Sequence, residues 1–84
     1  MIIRKTVDFN RELKCLPQEI QRLYFKQEVI FGKNWLDRRL HVKRLKELSG
    51  VYSSRITRRY RALFYFRDGE AVLFAIGHRK DIYD

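Results

Sequence analysis

Residues 51–76, VYSSRITRRYRALFYFRDGEAVLFAI, decide the fold of this chain. Three segments rich in β-branched and aromatic residues follow one another here, and Asp68-Gly69 between the last two is typical of a tight hairpin turn. "VYSSRI", "RYRALFYF" and "AVLFAI" are therefore predicted to be hairpin-linked strands. Alternation along the middle strand puts Phe64 on one face and Arg61 on the other. The last segment is apolar on both faces, which predicts a central place in the sheet.

Upstream of this stretch, apolar residues recur at helical spacing instead of at every second position. "MIIRKTV" predicts a short first strand. Asp8 is then expected to cap a helix, and Pro17 to be the first residue of a second helix that ends at Gly32. Between residues 33 and 48 the signals for a short helix and for an exposed connector are mixed, so a partly irregular segment is expected. This order predicts an α+β fold in which a helical hairpin packs against one sheet.

Length and composition indicate one small domain. The 84 residues are predicted to form a single unit, residues 1–84. No apolar run approaches the roughly 20 residues that span a bilayer, and the N-terminus lacks the apolar centre of a signal peptide. The single cysteine, Cys15, can form no internal disulfide and fits a reducing compartment. We therefore expect a soluble, cytoplasmic protein with no membrane partner.

Charge is the strongest compositional signal. The chain has 19 Lys and Arg against 10 Asp and Glu, a formal net charge of +9. Such an excess favours a polyanionic partner, because each neutralised phosphate releases condensed counterions. From net charge alone, nucleic acid and an acidic protein are comparable partners. Histidine, cysteine and acidic residues are not spaced as metal ligands, and there is no glycine-rich phosphate loop, so neither a metal site nor a small-molecule cofactor is predicted.

Several motifs in the order found here resemble the RelE/ParE superfamily of bacterial toxins from type II toxin-antitoxin modules. The likeness covers essentially the whole chain and is carried by "LKCLPQEIQ", "HVKRLKELSG", "GVYSSRITRRYRALFY" and "IGHRKDIY". It implies an N-terminal strand and helical hairpin packed on a curved, mainly antiparallel sheet. It also implies a cognate antitoxin protein as partner.

Function divides within that superfamily. RelE-like members are endoribonucleases that cut mRNA on the ribosome, whereas ParE-like members poison DNA gyrase. This sequence resembles the ribonucleases at Arg61, Arg79 and Tyr83. The resemblance therefore implies a metal-independent mRNA interferase that inhibits translation. A gyrase-directed toxin and an inactive relative that only binds nucleic acid or a partner remain the alternatives.

The chemistry of RNA cleavage explains why arginine and tyrosine would be useful at such a site. When a 2′-hydroxyl attacks its adjacent phosphate, a proton must be removed, negative charge must be stabilised, and the leaving oxygen must be protonated. The planar forks of Arg61 and Arg79 suit the phosphate oxygens, and by family analogy Arg79 also assists the leaving group. An aromatic such as Tyr83 can stack on an unstacked base.

Proton transfer is the step for which the family pattern is incomplete. Related ribonucleases have lysines on the strand that corresponds to "VYSSRI", where this sequence has Ser53 and Arg55. Arginine does not give up its proton, so Arg55 is predicted to contact phosphate. His78 is predicted to be the general base or acid, since imidazole normally titrates near neutral pH.

Further basic residues adjoin the predicted site and are candidates for contacts with the RNA backbone. They are Lys43, Arg44, Lys46, Arg58 and Arg59.

Overall fold

Residues 1–83, which the computed structural model describes, form the predicted α+β fold. In chain order the elements are β1 (Ile3–Lys5), α1 (Val7–Lys14), α2 (Gln18–Lys33), a 3₁₀ turn (Arg38–Leu40), β2 (Lys43–Arg44), β3 (Val51–Arg55), β4 (Tyr60–Arg67), β5 (Glu70–His78) and α3 (Arg79–Ile82). No helix in this part of the chain is both long and apolar enough to cross a membrane.

The strands form one sheet in the order β1-β5-β4-β3-β2. β1 runs parallel to β5, and the other neighbouring pairs are antiparallel, so the mainly antiparallel sheet is confirmed. The prediction that "AVLFAI" lies at the centre is wrong in detail, because β4 is central and β5 lies between β4 and β1. Both edge strands are short, with 3 residues in β1 and 2 in β2.

One face of the sheet carries the hydrophobic core. Phe9 of α1 and Phe31 of α2 are buried against Phe64 of β4, and the rings of Phe31 and Phe64 meet edge to face with centroids 4.8 Å apart. Leu63, whose side chain alternates to the opposite face, is buried outside this core cluster. The helices therefore support one side of the sheet, and the functional site has to be sought on the other.

The segment between α2 and β3 is partly irregular, as expected, and is anchored by Trp35. The Trp35 ring lies 4.8 Å from that of Phe66 and 5.5 Å from that of Tyr52, centroid to centroid, which fixes the connector over the edge of the core. Trp35 is thus a packing residue, and it fixes the start of the connector that carries the basic residues.

The predicted helix ends need correction. Thr6, not Asp8, caps α1: its backbone is extended, and its Oγ1 accepts a hydrogen bond from Phe9 N–H at 3.1 Å. Pro17 precedes α2 as its cap instead of being its first residue. Gly32 does not end α2, which continues to Lys33, because Gly32 keeps a helical backbone and no left-handed residue is needed there.

The β4–β5 hairpin turn has the backbone that its sequence predicts. Arg67 pairs with Glu70, and both Asp68 (φ 51°) and Gly69 (φ 78°) are left-handed, as a two-residue type I′ turn requires.

Two glycine substitutions are expected to have opposite effects on stability. Gly69→Ala forces a side chain into the left-handed region and should lower the free energy of unfolding by about 1–2 kcal/mol. Gly32→Ala should raise it by up to about 1 kcal/mol, since an added Cβ meets only Ile3 Cδ1, at 3.7 Å, in ordinary contact. Urea denaturation of the two variants measures both, and destabilisation by Gly32→Ala would contradict this account of α2.

Candidate active site

At one end of the sheet, two arginines lie directly opposite each other. Arg55, the last residue of β3, pairs with Arg61 of β4, whose partner on the other side is Gly77 of β5. Cross-strand partners project from the same face, with Cβ atoms about 4.5–5.5 Å apart, and like charges so placed are destabilising. A Cβ at Gly77 would meet no atom within 4 Å, so the space beside Arg61 is open. Such a pair does not contribute to stability, which makes this end of the sheet a candidate site for an anionic ligand.

The Arg61 side chain is held by the turn that precedes its own strand. Its Nη1 donates to the backbone carbonyls of Thr57 (2.7 Å), Arg58 (2.9 Å) and Tyr60 (3.2 Å). These bonds use one end of the guanidinium and fix its plane. The remaining N–H groups have no acceptor among residues 1–83, which leaves them for an incoming group. Arg61 is therefore oriented before any ligand arrives.

This end of the sheet concentrates positive charge. Burial lowers the pKa of Arg61, and the charges of Arg55 and Arg79 lower it further, whereas Tyr83 acts in the opposite direction. The Arg55 Nε–H is buried and has no hydrogen-bond acceptor in the described chain. A buried donor without an acceptor costs about 1–3 kcal/mol. An anion bound here would supply the missing acceptor and offset the repulsion; Arg55, Arg61 and Arg79 are called the arginine cluster below.

The last helix brings Arg79 and Tyr83 to this cluster. Arg79 N–H donates to the carbonyl of Arg59 at 2.7 Å, which fastens the start of α3 to the turn beside Arg61. His78 caps α3, and Tyr83 is the residue that ends it. Two segments far apart in sequence, the turn at residues 57–59 and the tail, are thus joined at the point where the charges converge.

A groove of about 650 Å³ extends from Tyr83 across the face of the sheet that the core does not use. Its floor is apolar, with Leu63 of β4 and Phe74 and Ala75 of β5, and the segment from Arg44 to Leu48 forms the opposite wall. A wall that carries two cations, Arg44 and Lys46, beside an apolar floor fits a single-stranded nucleic acid, whose backbone is charged and whose bases are flat and apolar.

Three of the predicted site residues line this groove, namely Arg44, Lys46 and Tyr83. Arg55 and Arg61 are paired across β3 and β4, and Arg79 is fastened to the turn beside Arg61. The other three predicted RNA contacts are exposed at the margins of the groove, on β2 and in the turn before β4; they are Lys43, Arg58 and Arg59.

His78 is not brought to the arginine cluster, so the prediction of His78 as the proton-transfer group is not supported by its position. It pairs with Tyr60, and the two rings are in contact with centroids 5.4 Å apart. Tyr60 packs against the core, hence on the face opposite Arg61. The His78 Nδ1 also accepts the Lys80 N–H at 3.1 Å, so the imidazole has a capping role.

Sequence reasoning missed one carboxylate at the site. Glu47 lines the groove opposite Tyr83. Of the described residues that line the groove, Glu47 is the acidic one. The available signal was the lone acid within the basic run "HVKRLKELSG", which is otherwise unexpected beside a polyanion site.

Solved structures provide the comparison with known proteins, since no protein-family model and no curated protein matches this sequence. A chain of the RelB-RelE antitoxin-toxin complex from Methanococcus jannaschii is 26% identical, with a TM-score of 0.75, over 96% of this chain and 95% of that chain. The YoeB/ParE toxin from Agrobacterium tumefaciens has a TM-score of 0.77 over 94% of this chain and 99% of its own, but at 13% identity it shows the fold alone.

A chain of the toxin-antitoxin complex RelBE2 from Mycobacterium tuberculosis gives a further match. It is 31% identical, with a TM-score of 0.64, and the alignment covers 93% of this chain and 96% of that chain. Identity of this extent over nearly the whole of both chains, together with the shared α+β fold, shows that this chain belongs to the RelE/ParE superfamily of toxins from type II toxin-antitoxin modules.

Proposed function

We propose that this toxin is an endoribonuclease that cleaves mRNA, in its ribosome-bound form, and so inhibits translation. The observation that carries the proposal is the arginine cluster. Arg55 and Arg61 are direct cross-strand partners, and the backbone of Arg79 is fastened to the turn beside Arg61. None of the three pairs with a carboxylate among residues 1–83, and the groove with the apolar floor begins at Tyr83, at the end of the helix that Arg79 starts. This combination fits a phosphodiester flanked by unstacked bases.

The reaction proposed is attack of the ribose 2′-oxygen on its own 3′-phosphorus. The new P–O2′ bond forms, the P–O5′ bond breaks, and the products end in a 2′,3′-cyclic phosphate and a 5′-hydroxyl. Arg61 and Arg55 bind the non-bridging oxygens, where negative charge develops in the transition state. Arg79 would stabilise the negative charge on the departing 5′-oxygen, which takes its proton from water to become the 5′-hydroxyl, and Tyr83 would stack on an adjacent base. The protein itself supplies the charge stabilisation, so this mechanism uses no metal ion.

Glu47 is the group that we assign to proton removal from the 2′-hydroxyl. A carboxylate is an acceptor in its ionised form, whereas the cations that line the same groove are donors only. Its position opposite Tyr83 puts it across the groove from the base that Tyr83 would hold.

His78→Asn tests whether the imidazole takes part in the reaction. Asparagine retains a side-chain acceptor for the cap of α3, so the rate of cleavage is expected to stay within about twofold of the unmodified chain, with the same dependence on pH through the neutral range where a histidine would titrate. Loss of the neutral-pH dependence together with a large fall in rate would restore His78 as a proton-transfer group.

Binding of the RNA backbone is assigned to the exposed cations around the groove. Each phosphate contact that is lost should reduce the dependence of log Kd on log salt by about 0.7 of a unit, the value for single strands. Lys43, Arg44, Lys46, Arg58 and Arg59 are the residues to which this applies.

A cognate antitoxin is the partner proposed for control of this activity. The relatives from Mycobacterium tuberculosis and Methanococcus jannaschii were solved as complexes of toxin and antitoxin. A segment of an antitoxin with acidic side chains would complement the +9 charge and fill the unpaired arginine cluster.

The test of the proposal is to induce the chain in cells and follow protein and DNA synthesis separately. A ribonuclease stops protein synthesis first, and primer extension then maps new 5′ ends within mRNA; a purified chain given programmed ribosomes should leave 2′,3′-cyclic phosphates. DNA breaks before any fall in protein synthesis, with intact mRNA, would support a gyrase-directed toxin and overturn the proposal.

A further inference from the structure

Two aromatic rings lie partly exposed on the sheet face that bears the groove. Tyr65 of β4 and Phe74 of β5 are neighbours with ring centroids 5.6 Å apart. Both are half-buried, and neither belongs to the core cluster. Phe74 lines the groove, and Tyr65 lines a second depression of about 450 Å³ nearer the β4–β5 turn. The pair therefore forms a shelf between two open spaces, which we call the aromatic shelf.

A β-bulge explains how Phe74 comes to face the groove. Leu63 pairs with Ala75 and Phe64 with Leu73, so Phe74 is an extra residue in β5. Because of it, Leu73 and Ile76 both remain in the core while Phe74 and Ala75 both line the groove. Bulges of this kind re-aim side chains and are frequent near active sites.

The bulge is also supported by a contact from outside the sheet. Ile76 N–H donates to Glu12 Oε1 of α1 at 3.1 Å, so the backbone group beside the irregularity has a partner. The position of Phe74 is thus maintained by the fold. Its ring lies on the open face and does not pack in the hydrophobic core.

The aromatic shelf lies at a definite distance from the arginine cluster. Tyr65 is four residues beyond Arg61 on the same strand and, by alternation, on the same face. At about 3.4 Å per residue the two positions are roughly 13–14 Å apart. That is further than one stacked nucleotide step of about 3.4 Å, so a base on the shelf would lie a few nucleotides from a phosphate at the cluster.

We propose that the aromatic shelf is a second RNA-binding subsite, on which Phe74 and Tyr65 stack an unpaired base of the strand that is bound at the arginine cluster. This inference rests on the proposed function, and it adds a site for a flanking nucleotide. The occupant is single-stranded RNA because the shelf continues the groove lined by Arg44 and Lys46. Sheet aromatics that stack successive bases are a common way to bind single strands.

The test is the affinity of fluorescently labelled, single-stranded 2′-O-methyl RNA, which lacks the 2′-hydroxyl proton and is not cleaved. Phe74→Leu is expected to weaken binding by about 5- to 150-fold, the range for loss of one stacked base, whereas Phe74→Trp should retain it. Leucine keeps the apolar volume and the fold. Phe25→Ala is the matched control, because Phe25 is an exposed phenylalanine on α2, outside the groove.

Oligonucleotides with an abasic site moved along the strand give a second measurement. At one position, a few nucleotides from the cleavage point, base removal should weaken binding to the unmodified chain but not to Phe74→Leu. Equal affinities of the unmodified chain and Phe74→Leu would overturn the subsite alone, and so would a defect of Phe74→Leu confined to binding of the antitoxin. No binding of single-stranded RNA by the unmodified chain would also overturn the subsite, whereas the proposed function is decided separately, by cleavage of mRNA on programmed ribosomes.

Discussion

Arg61→Ala is expected to lower the rate of RNA cleavage by about 10²- to 10³-fold, the usual effect of removing one preorganised donor from a developing charge. The reason is geometric. Three carbonyl contacts orient the Arg61 guanidinium before RNA arrives, so its remaining N–H groups meet the phosphate without reorganisation. Single-turnover cleavage of an mRNA fragment on programmed ribosomes measures the rate.

Two further variants distinguish orientation from charge. Arg61→Lys keeps the charge, but one ammonium cannot bind three carbonyls and a phosphate in the same fixed plane, so it should recover only a small part of the loss. Arg22→Ala removes an exposed cation from α2, outside the groove, and should leave the rate unchanged. Full activity of Arg61→Lys would show that orientation by the turn is unimportant, and full activity of Arg61→Ala would remove the central assignment.

Glu47→Gln is expected to reduce the rate constant for cleavage by about 10²- to 10⁴-fold, the typical contribution of a general base. Glutamine has nearly the same size and can still form hydrogen bonds, but it does not accept the proton of the 2′-hydroxyl. Binding should not weaken, because the change removes a negative charge from a groove that holds a polyanion. The measurement is kcat for cleavage alongside the Kd for 2′-O-methyl RNA.

The separation of kcat from Kd is what distinguishes a base from a structural residue. Glu47→Asp, which retains a shorter carboxylate, should restore part of the rate, whereas His78→Asn should behave as the unmodified chain. If Glu47→Gln cleaved at the normal rate, proton removal would have to be assigned to another group or to water.

The fold could be predicted where the signals are local. The alternating segments and the Asp68-Gly69 turn specify the β4–β5 hairpin through residues that are adjacent in sequence, and the structure confirms the two strands and the turn. Order within the sheet could not be predicted in the same way. The parallel pairing of Ile3 with Ala71 joins the two ends of the chain, and its energy comes from burial that no short window of sequence contains.

The candidate site was predicted by residue type and only in part by position. Arg61 and Arg79 were predicted because they match arginines of the resembled family and because arginine chemistry suits a phosphate. The face on which His78 lies could not be predicted, because the face of a strand residue depends on register and a shift of one residue reverses it. The bulge at Phe74 is such a shift, and it leaves no mark in an apolar run. Glu47 was missed because nothing in the basic segment shows that it folds across from Tyr83.

The shortness of the two edge strands has a consequence for self-association. Open sheet edges are templates on which further chains add, and short edges are one of the ways in which proteins prevent it. With three residues on one side and two on the other, the sheet offers little for a second copy to extend. We therefore expect the chain to resist growth of fibrils from its sheet edges, even at high concentration.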